Sequence, residues 1–338
     1  MNMNYSVAIC TYNGEKYIAE QLNSIIKQSI PPTEIVISDD GSRDRTLEVV
    51  EKILSSSSIR YTIIHNQNDH GVSGNFFTAI SACQEPIIFT SDQDDVWNRN
   101  KAEKMLPFFA DKRIMLVFSD GELVSSNLEP IGTTIFKANG VSEQFLKEKD
   151  WMTYLYSNCI VTGATMALRT SLMNGISRFP KEWMHDAFLA VKAASLNGMA
   201  ACDEKLILYR QHETNTVGMH EVEKREQIKE WVWRNSQLAD DRARRYHRFL
   251  SLYQELHTCL PEAEKRRMTR FLSFMKDLSD VSTGSVPSQI AVIMKHYRNG
   301  DYSLFYSGGR TACRATIAVV LNRIIVHGRN IHKRCSVI

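Results

Sequence analysis

From residue 5 the chain alternates short apolar runs with amphipathic segments. Residues 5–10 (Tyr-Ser-Val-Ala-Ile-Cys) are β-prone and run into the turn Thr-Tyr-Asn-Gly. Over residues 15–29, Ile18, Leu22, Ile25 and Ile26 recur at helical spacing, which predicts an amphipathic helix ended by Pro31-Pro32. Glu34 to Ser38 is a second short strand, stopped by Asp39-Asp40-Gly41-Ser42. Thr46 to Leu54 reads as a second helix, with the serine run 55–58 as its exit. Tyr61 to His65 is a third strand and Asn75 to Ala82 a third helix. Pro86 to Thr90 is a fourth strand, and it ends at Ser91-Asp92-Gln93-Asp94-Asp95.

Strands that alternate with helices through tight connections predict an α/β fold with a mainly parallel sheet covered on both faces. Ligands of such sheets bind at the carboxyl ends of the strands. The polar clusters fall at those ends: Thr11-Tyr12-Asn13, Asp39-Asp40, residues 66–68 and residues 92–95. Further on, Ile114 to Phe118 reads as a strand, 120–150 as irregular, Ile160 to Leu168 as an apolar glycine-containing stretch, Trp183 to Ala194 as a helix and Leu206 to Tyr209 as a last strand. From about residue 219 the pattern turns helical and charge-rich, with Trp231, Trp233, Leu238, Phe249, Leu252, Leu256, Phe271 and Phe274 as its apolar positions.

The charge balance changes at the same point. Residues 1–218 hold 20 basic and 26 acidic side chains, whereas 219–338 hold 21 and 12, a net of +9. We therefore expect two parts, an enzyme-like globule over 1–218 and a basic helical region over 219–338. The length of 338 residues fits about two domains. With 43% hydrophobic and 23% charged residues, a disordered, collagen-like or coiled-coil chain is excluded. Seven scattered cysteines without a CxxC pair indicate neither a zinc site nor a disulfide framework, and reduced thiols in the cytosol are the expectation. No secretory signal and no spanning helix are expected.

Three carboxylates in four positions, Asp92, Asp94 and Asp95, repel one another directly after an apolar strand. Hard oxygen donors at that density suit Mg²⁺ or Mn²⁺, which can bridge a diphosphate. The bland alternative is a solvated acidic turn with Asp95 as a helix cap. At the first two strand ends an exposed Asp can accept hydrogen bonds from a base imide or a ribose hydroxyl, and Thr11 and Asn13 can supply complementary groups. Asp-Gly-Ser alone is only a turn motif.

These segments resemble family 2 glycosyltransferases of the GT-A fold. The matching pieces are CTYNGEKYIAEQLNSIIKQS, EIVISDDGSRDRT, NQNDHGVSGNF, SDQDDVW, VTGATMALR, MHDAFLA and YRQHETNTVG, which together span about residues 5–218. SDQDDVW and the segment FSDGELVSSNLEPIG are similar to the bacterial polysaccharide and O-antigen (lipopolysaccharide) branch, of rhamnosyltransferase type. The resemblance implies a Rossmann-like mixed sheet with a helical C-terminal extension. It implies that Thr11, Asn13, Asp40 and Asp92 hold the nucleotide-sugar, that Asp92 and Asp94 form the Asp-x-Asp metal motif, and that Asp186 is the general base. His185 stands where the family carries a first acid. His212, in Tyr-Arg-Gln-His, matches a position that reaches the metal or diphosphate. Asp120 and the tryptophans 97 and 183 keep structural readings beside functional ones, as do Asn68 and Asn75.

The implied reaction moves a sugar, with L-rhamnose a candidate, from a dTDP- or UDP-sugar to an oligosaccharide or lipid-linked acceptor, with inversion and with Mg²⁺ or Mn²⁺. Two alternatives stand beside it. Asp92-x-Asp94 also fits a phosphatase or phosphotransferase signature, although that motif normally ends the first strand of its domain. A non-catalytic sugar-nucleotide or glycan-binding module is the other. The basic region reads as a membrane-surface helix, an oligomer contact or a solvated layer. Arg310, Arg314, Arg323, Arg329, Lys333 and Arg334 flank apolar residues 315–326, which suits an interfacial helix on an anionic membrane. No nucleic-acid motif accompanies the charge. The expected location is cytoplasmic, peripheral at the inner face of the cytoplasmic membrane.

Overall fold

The computed structural model describes residues 3–67, 69–156, 159–212, 238–280 and 285–305. The chain forms two compact units, Met1–Met219 and His220–Ile338.

The first unit opens with β1 (Tyr5–Thr11), α1 (Ile18–Ile26), β2 (Glu34–Asp39), α2 (Thr46–Leu54), β3 (Arg60–His65), α3 (Val72–Ala82) and β4 (Ile87–Ser91). β1 pairs in parallel with both β2 and β4, and β2 with β3. The apolar runs of β1, β2 and β4 are buried almost throughout because helices cover both sheet faces. Val7, Ile9, Ile35, Ile37 and Phe89 join Ile18, Leu22 and Ile25 of α1 and Val50 and Leu54 of α2 in one core. α3 packs on β1 and β2. β3 lies at the sheet's edge and is half open to solvent.

The second half runs through β5 (Val96–Trp97), α4 (Lys101–Met105), β6 (Leu116–Val124), β7 (Pro130–Thr134), α5 (Ile135–Ala138), α6 (Glu143–Glu148), α7 (Trp151–Leu155), β8 (Met166–Arg169), α8 (His185–Ser195) and β9 (Met199–Arg210). Among the described residues, nine strands form one sheet in the order β3-β2-β1-β4-β8-β6-β9-β5, with β7 paired to β6. The sheet is parallel from β3 to β4 and again between β6 and β9. β8 is antiparallel to both β4 and β6, and β5 is antiparallel to β9. The expected mainly parallel sheet is thus a mixed one, because the later strands do not follow the one-helix-per-crossover rhythm that made the first ninety residues legible.

Two more expectations change. The stretch 120–150, expected to be irregular, holds the end of β6 together with β7, α5 and α6. Helices of four and six residues are too short to leave a periodic signal, and they start instead at side-chain caps, Thr134 and Ser142. The last strand is 12 residues long rather than four, because exposed Asp203, Glu204 and Lys205 interrupt its apolar pattern where the pairing with β6 shifts register.

The second unit contains α9 (Leu238–Leu256), α10 (Glu262–Asp280), α11 (Val286–Arg298) and α12 (Asp301–Phe305). Phe249, Leu252, Leu256, Phe271 and Phe274 are buried, as their spacing predicts. Trp231, Trp233, apolar residues 315–326 and their flanking arginines lie outside the described residues. Among the described residues, no helix is long and apolar enough to cross a membrane.

Candidate active site

The polar strand ends gather at the carboxyl edge of the parallel half-sheet. At the ends of β1 and β2, Thr11 is buried and its hydroxyl donates to Asp39 Oδ1 at 2.7 Å. Asp39 also accepts from the Ser42 hydroxyl at 2.6 Å and from the Gly41 and Ser42 amides at 3.1 and 2.8 Å. Asp39 therefore builds the turn and is buried, whereas Asp40 keeps some solvent access, its side chain 14% exposed. Asp40 accepts from Asn66 Nδ2 at 3.0 Å and from the Gly71 amide at 2.8 Å, and it contacts His70 Nδ1 at 2.7 Å. Asn13 sits in the left-handed region, with φ +48°, and its side-chain oxygen accepts from the Arg43 amide at 2.9 Å. Asn75 is buried and donates to the carbonyls of Ser38 and Thr11, so it ties α3 to the strand ends. Asn68 lies outside the described residues.

Gln93 joins this edge to the acidic loop. Its side chain accepts from the Tyr12 amide at 2.9 Å and donates to the Tyr12 carbonyl at 3.0 Å. A Cβ on Gly14 would come within 2.1 Å of Gln93 Oε1, so only glycine leaves room for that clamp.

The three loop carboxylates divide in environment. Asp95 is 1% exposed and accepts from the Arg210 amide at 3.0 Å. Burial, then the charges of Asp94 and Asp92, push its proton affinity well up. Asp92 keeps a window on solvent, yet burial followed by the charges of Asp94 and Asp186 raises its pKa to about 7, against the pull of Lys101. Asp186 is therefore an electrostatic neighbour of the loop. Asp94 Oδ2 lies 2.9 Å from His212 Nε2.

Arg210, at the end of β9, holds the loop from behind. It donates to the Asp94 carbonyl at 2.6 Å, to the Ser126 carbonyl at 2.5 Å and to Glu20 at 2.5 Å. Its guanidinium also lies 4.5 Å from the centre of the Tyr17 ring, and Tyr17 stacks on His212 at 5.0 Å.

Asp186 sits in the first turn of α8. Its Oδ2 accepts from the Gly163 amide at 3.0 Å and its Oδ1 from the Ala187 amide at 2.6 Å. His185 points into the core instead. It stacks on Phe76 at 3.9 Å, both ring nitrogens are buried without a hydrogen-bond partner, and burial lowers its proton affinity. A Cβ on Gly163 would meet His185 Nε2 at 2.7 Å, so this glycine lets the turn approach both α8 residues. Asp120 accepts from the amides of Gly121 and Phe136 at 2.8 Å, a bracket between β6 and α5 rather than an open carboxylate. Trp97 and Trp183 are core residues, each 3% exposed.

Sequence reading thus singled out the acidic loop, Asp186 and His212, and it passed over Gln93, Tyr17, Arg210, Gly163 and Lys101, which the structure places around them. Gln93 and Arg210 stand inside SDQDDVW and YRQH, so their motifs carried a signal. Lys101 left none.

The donor set bears on the cation question. Among the described residues, no group of three His, Cys, Asp or Glu side chains forms a ready cation cage. A divalent cation held with a diphosphate needs only one or two carboxylates, the phosphates supplying further oxygens. The crowded Asp92 and Asp94, with the His212 nitrogen beside Asp94, fit that mode. They do not fit an all-protein site.

A sequence profile described as "Glycosyl transferase family 2" matches residues 6–173. The chain is 32% identical over 223 residues to the dTDP-rhamnosyl transferase RfbG of Shigella flexneri, covering 62% of this chain and 73% of that protein. It is 26% identical over 196 residues to the UDP-Glc:alpha-D-GlcNAc-diphosphoundecaprenol beta-1,3-glucosyltransferase WfgD of Escherichia coli, covering 58% and 72%. Among solved structures it is similar to Staphylococcus aureus TarS 1–349 in complex with UDP-GlcNAc, at TM-score 0.55 and 22% identity over 88% of this chain and 81% of that one. That likeness is one of fold, and it makes the mixed sheet a GT-A sheet. The phosphatase alternative falls with it, since the acidic loop ends the fourth strand of the chain and β4 lies inside the sheet between β1 and β8. The chain belongs to glycosyltransferase family 2, the nucleotide-sugar glycosyltransferases, and its relatives place it in bacterial polysaccharide biosynthesis.

Proposed function

We propose that the protein transfers a hexose or deoxyhexose from a dTDP- or UDP-sugar to a saccharide or lipid-linked acceptor, with inversion at the anomeric carbon. The observation that carries this reading is the placement of Asp186: its Oδ2 accepts from the Gly163 amide, and the Gly163 carbonyl accepts from Thr90 of β4, the strand that ends in the acidic loop. RfbG makes dTDP-rhamnose the first donor to test.

The chemistry follows from the residues. Asp40 and Asn13, at the ends of β2 and β1, offer polar groups to the base and ribose. Thr11 acts through Asp39, whose turn its hydroxyl stabilises. Asp92, Asp94 and His212 would hold Mg²⁺ or Mn²⁺, which when bound neutralises the diphosphate leaving group. Asp186 is held by two amide donors, so one lone pair stays fixed toward an acceptor hydroxyl. As that hydroxyl oxygen attacks the anomeric carbon, the carbon–oxygen bond to the diphosphate breaks and the hydroxyl proton passes to Asp186. A single base with no second nucleophile predicts inversion.

The test is nucleotide release from dTDP-rhamnose, UDP-glucose and UDP-GlcNAc with Mn²⁺, by wild type and by Asp186→Asn. The variant should bind the donor normally and turn over about 10²-fold more slowly. A variant with wild-type turnover would remove Asp186 from the role.

For the basic region we propose contact with an anionic membrane surface. Its net charge of +9 and the arginine-flanked apolar residues 315–326 support this. It would keep the enzyme at the cytoplasmic face, where lipid-linked acceptors are exposed.

A further inference from the structure

Lys101 opens α4 and has no part in the reaction above. Its side chain is fully buried, at 0% exposure. A buried ammonium is costly unless its charge and its three donors are met. Here it donates to the Ala164 carbonyl at 2.7 Å and lies 4.0 Å from the centre of the Trp97 ring, whose face attracts a cation. Burial lowers its pKa to about 7, and the charges of Asp95 and Asp92 offset only part of that.

The groups around Lys101 belong to two different parts of the site. Asp92, Asp95 and Trp97 belong to the acidic loop and β5. Ala164 follows Gly163, whose amide holds Asp186 and whose carbonyl accepts from Thr90 of β4 at 2.5 Å. The Lys101 amine therefore links the face of Trp97, in the strand that follows the acidic loop, to the turn that holds Asp186.

We propose that Lys101 is a positioning residue: it fixes β5, which follows the acidic loop, against the Gly163–Thr165 turn and so sets Asp186 at its working distance from Asp92 and Asp94. This rests on the reading of Asp186 as the base. A lysine suits the place because a compact amine on a thin stem fits where the planar fork of arginine would need more room. Methionine would fill the stem's volume but leave the Ala164 carbonyl without its donor and the turn untied.

The full-length protein is compared with Lys101→Met, Lys101→Gln and Lys104→Met, the last at an exposed position on the same helix. Two quantities are read: hydrogen exchange of residues 160–169 by mass spectrometry in EDTA, and steady-state kinetics with the donor that wild type uses. Exchange in 160–169 should quicken in Lys101→Met and not in Lys104→Met, since only loss of the Lys101 amine frees the Ala164 carbonyl. kcat should fall about tenfold or more in Lys101→Met with donor KM little changed, as expected of a misplaced base. Unchanged exchange, or Lys101→Met with full kcat, would each overturn the proposal. If Lys101→Met does not fold, Lys101→Gln, which keeps a donor on a shorter stem, is read in its place with the same expectations; if neither folds, Lys101 is needed for the fold itself and the positioning role fails. A wild type inactive with every donor would instead sink the proposed reaction, and the exchange comparison would still decide whether Lys101 holds the turn.

Discussion

Single residues in this site trade stability for placement. Asp94 is the clearest case, because its charge raises the proton affinity of both Asp92 and Asp95. Removing it relieves repulsion in the metal-free protein while deleting one of the cation ligands proposed above. Asp94→Ala should therefore melt no lower than wild type in EDTA, lose the stabilisation that Mn²⁺ gives wild type, and show no transfer. Transfer at wild-type rate by this variant, or by wild type in excess EDTA, would dismiss the cation assignment. His185 gives a pH signature of opposite origin. Burial lowers its proton affinity in the folded state, with Asp186 opposing. The unfolded chain takes up a proton near pH 6.5 that the folded protein refuses. Stability from this group is thus complete above that pH and is lost as pH falls below it, by about 1.4 kcal/mol per unit until the folded group titrates. The stability gap between wild type and His185→Gln should shift against wild type between pH 7.5 and 5.5 in denaturant titrations. A gap independent of pH would mean that His185 is not held neutral.

At the scale of elements, β9 matters as much as the strands whose ends carry the chemistry. It pairs with β5 beside the acidic loop, and its last residue, Arg210, is only 2% exposed while reaching three oxygens and a ring. Arg210→Met would leave the buried carbonyls of Asp94 and Ser126 without this donor. We expect a loss of about 2–4 kcal/mol in urea unfolding. Arg210→Lys should recover little of it, because an ammonium lacks the planar fork that serves several acceptors at once. A lysine variant as stable as wild type would show that charge alone matters there. None of this was visible in the pattern of β9, where a charged triplet hides the strand. The motif Tyr-Arg-Gln-His pointed to His212 and not to the arginine that carries the loop.

The chain forms two units, and the candidate site lies in the first. The ends of β1 and β2, the acidic loop, Asp186 and His212 all lie within residues 11–212. The basic surplus lies beyond. Attraction of such a surplus to anionic lipid weakens with salt, whereas apolar contact does not. Full-length protein should therefore sediment with phosphatidylglycerol vesicles at low salt, sediment less as salt rises, and ignore phosphatidylcholine. Indifference to anionic vesicles at low salt would return the basic region to an oligomer contact or a solvated layer.

What the sequence determined by itself was whatever depends on local order. Apolar runs broken by polar turns fixed β1 to β4 and α1 to α3, because each element there is long enough to show its period. The density of Asp92, Asp94 and Asp95 marked the loop for the same reason, since like charges so close in the chain cannot escape one another. Tertiary structure decided what depends on residues far apart in sequence. It set β8 antiparallel to β4 and β6 and β5 antiparallel to β9, assigned Asp39 to the turn and Asp40 to its contacts with Asn66, His70 and Gly71, sent His185 into the core, and brought Lys101, Gly163 and Asp186 to one place. Those outcomes follow from which backbone groups meet when strands pair and which charges share a low-dielectric interior, and neither is written in any short stretch of chain.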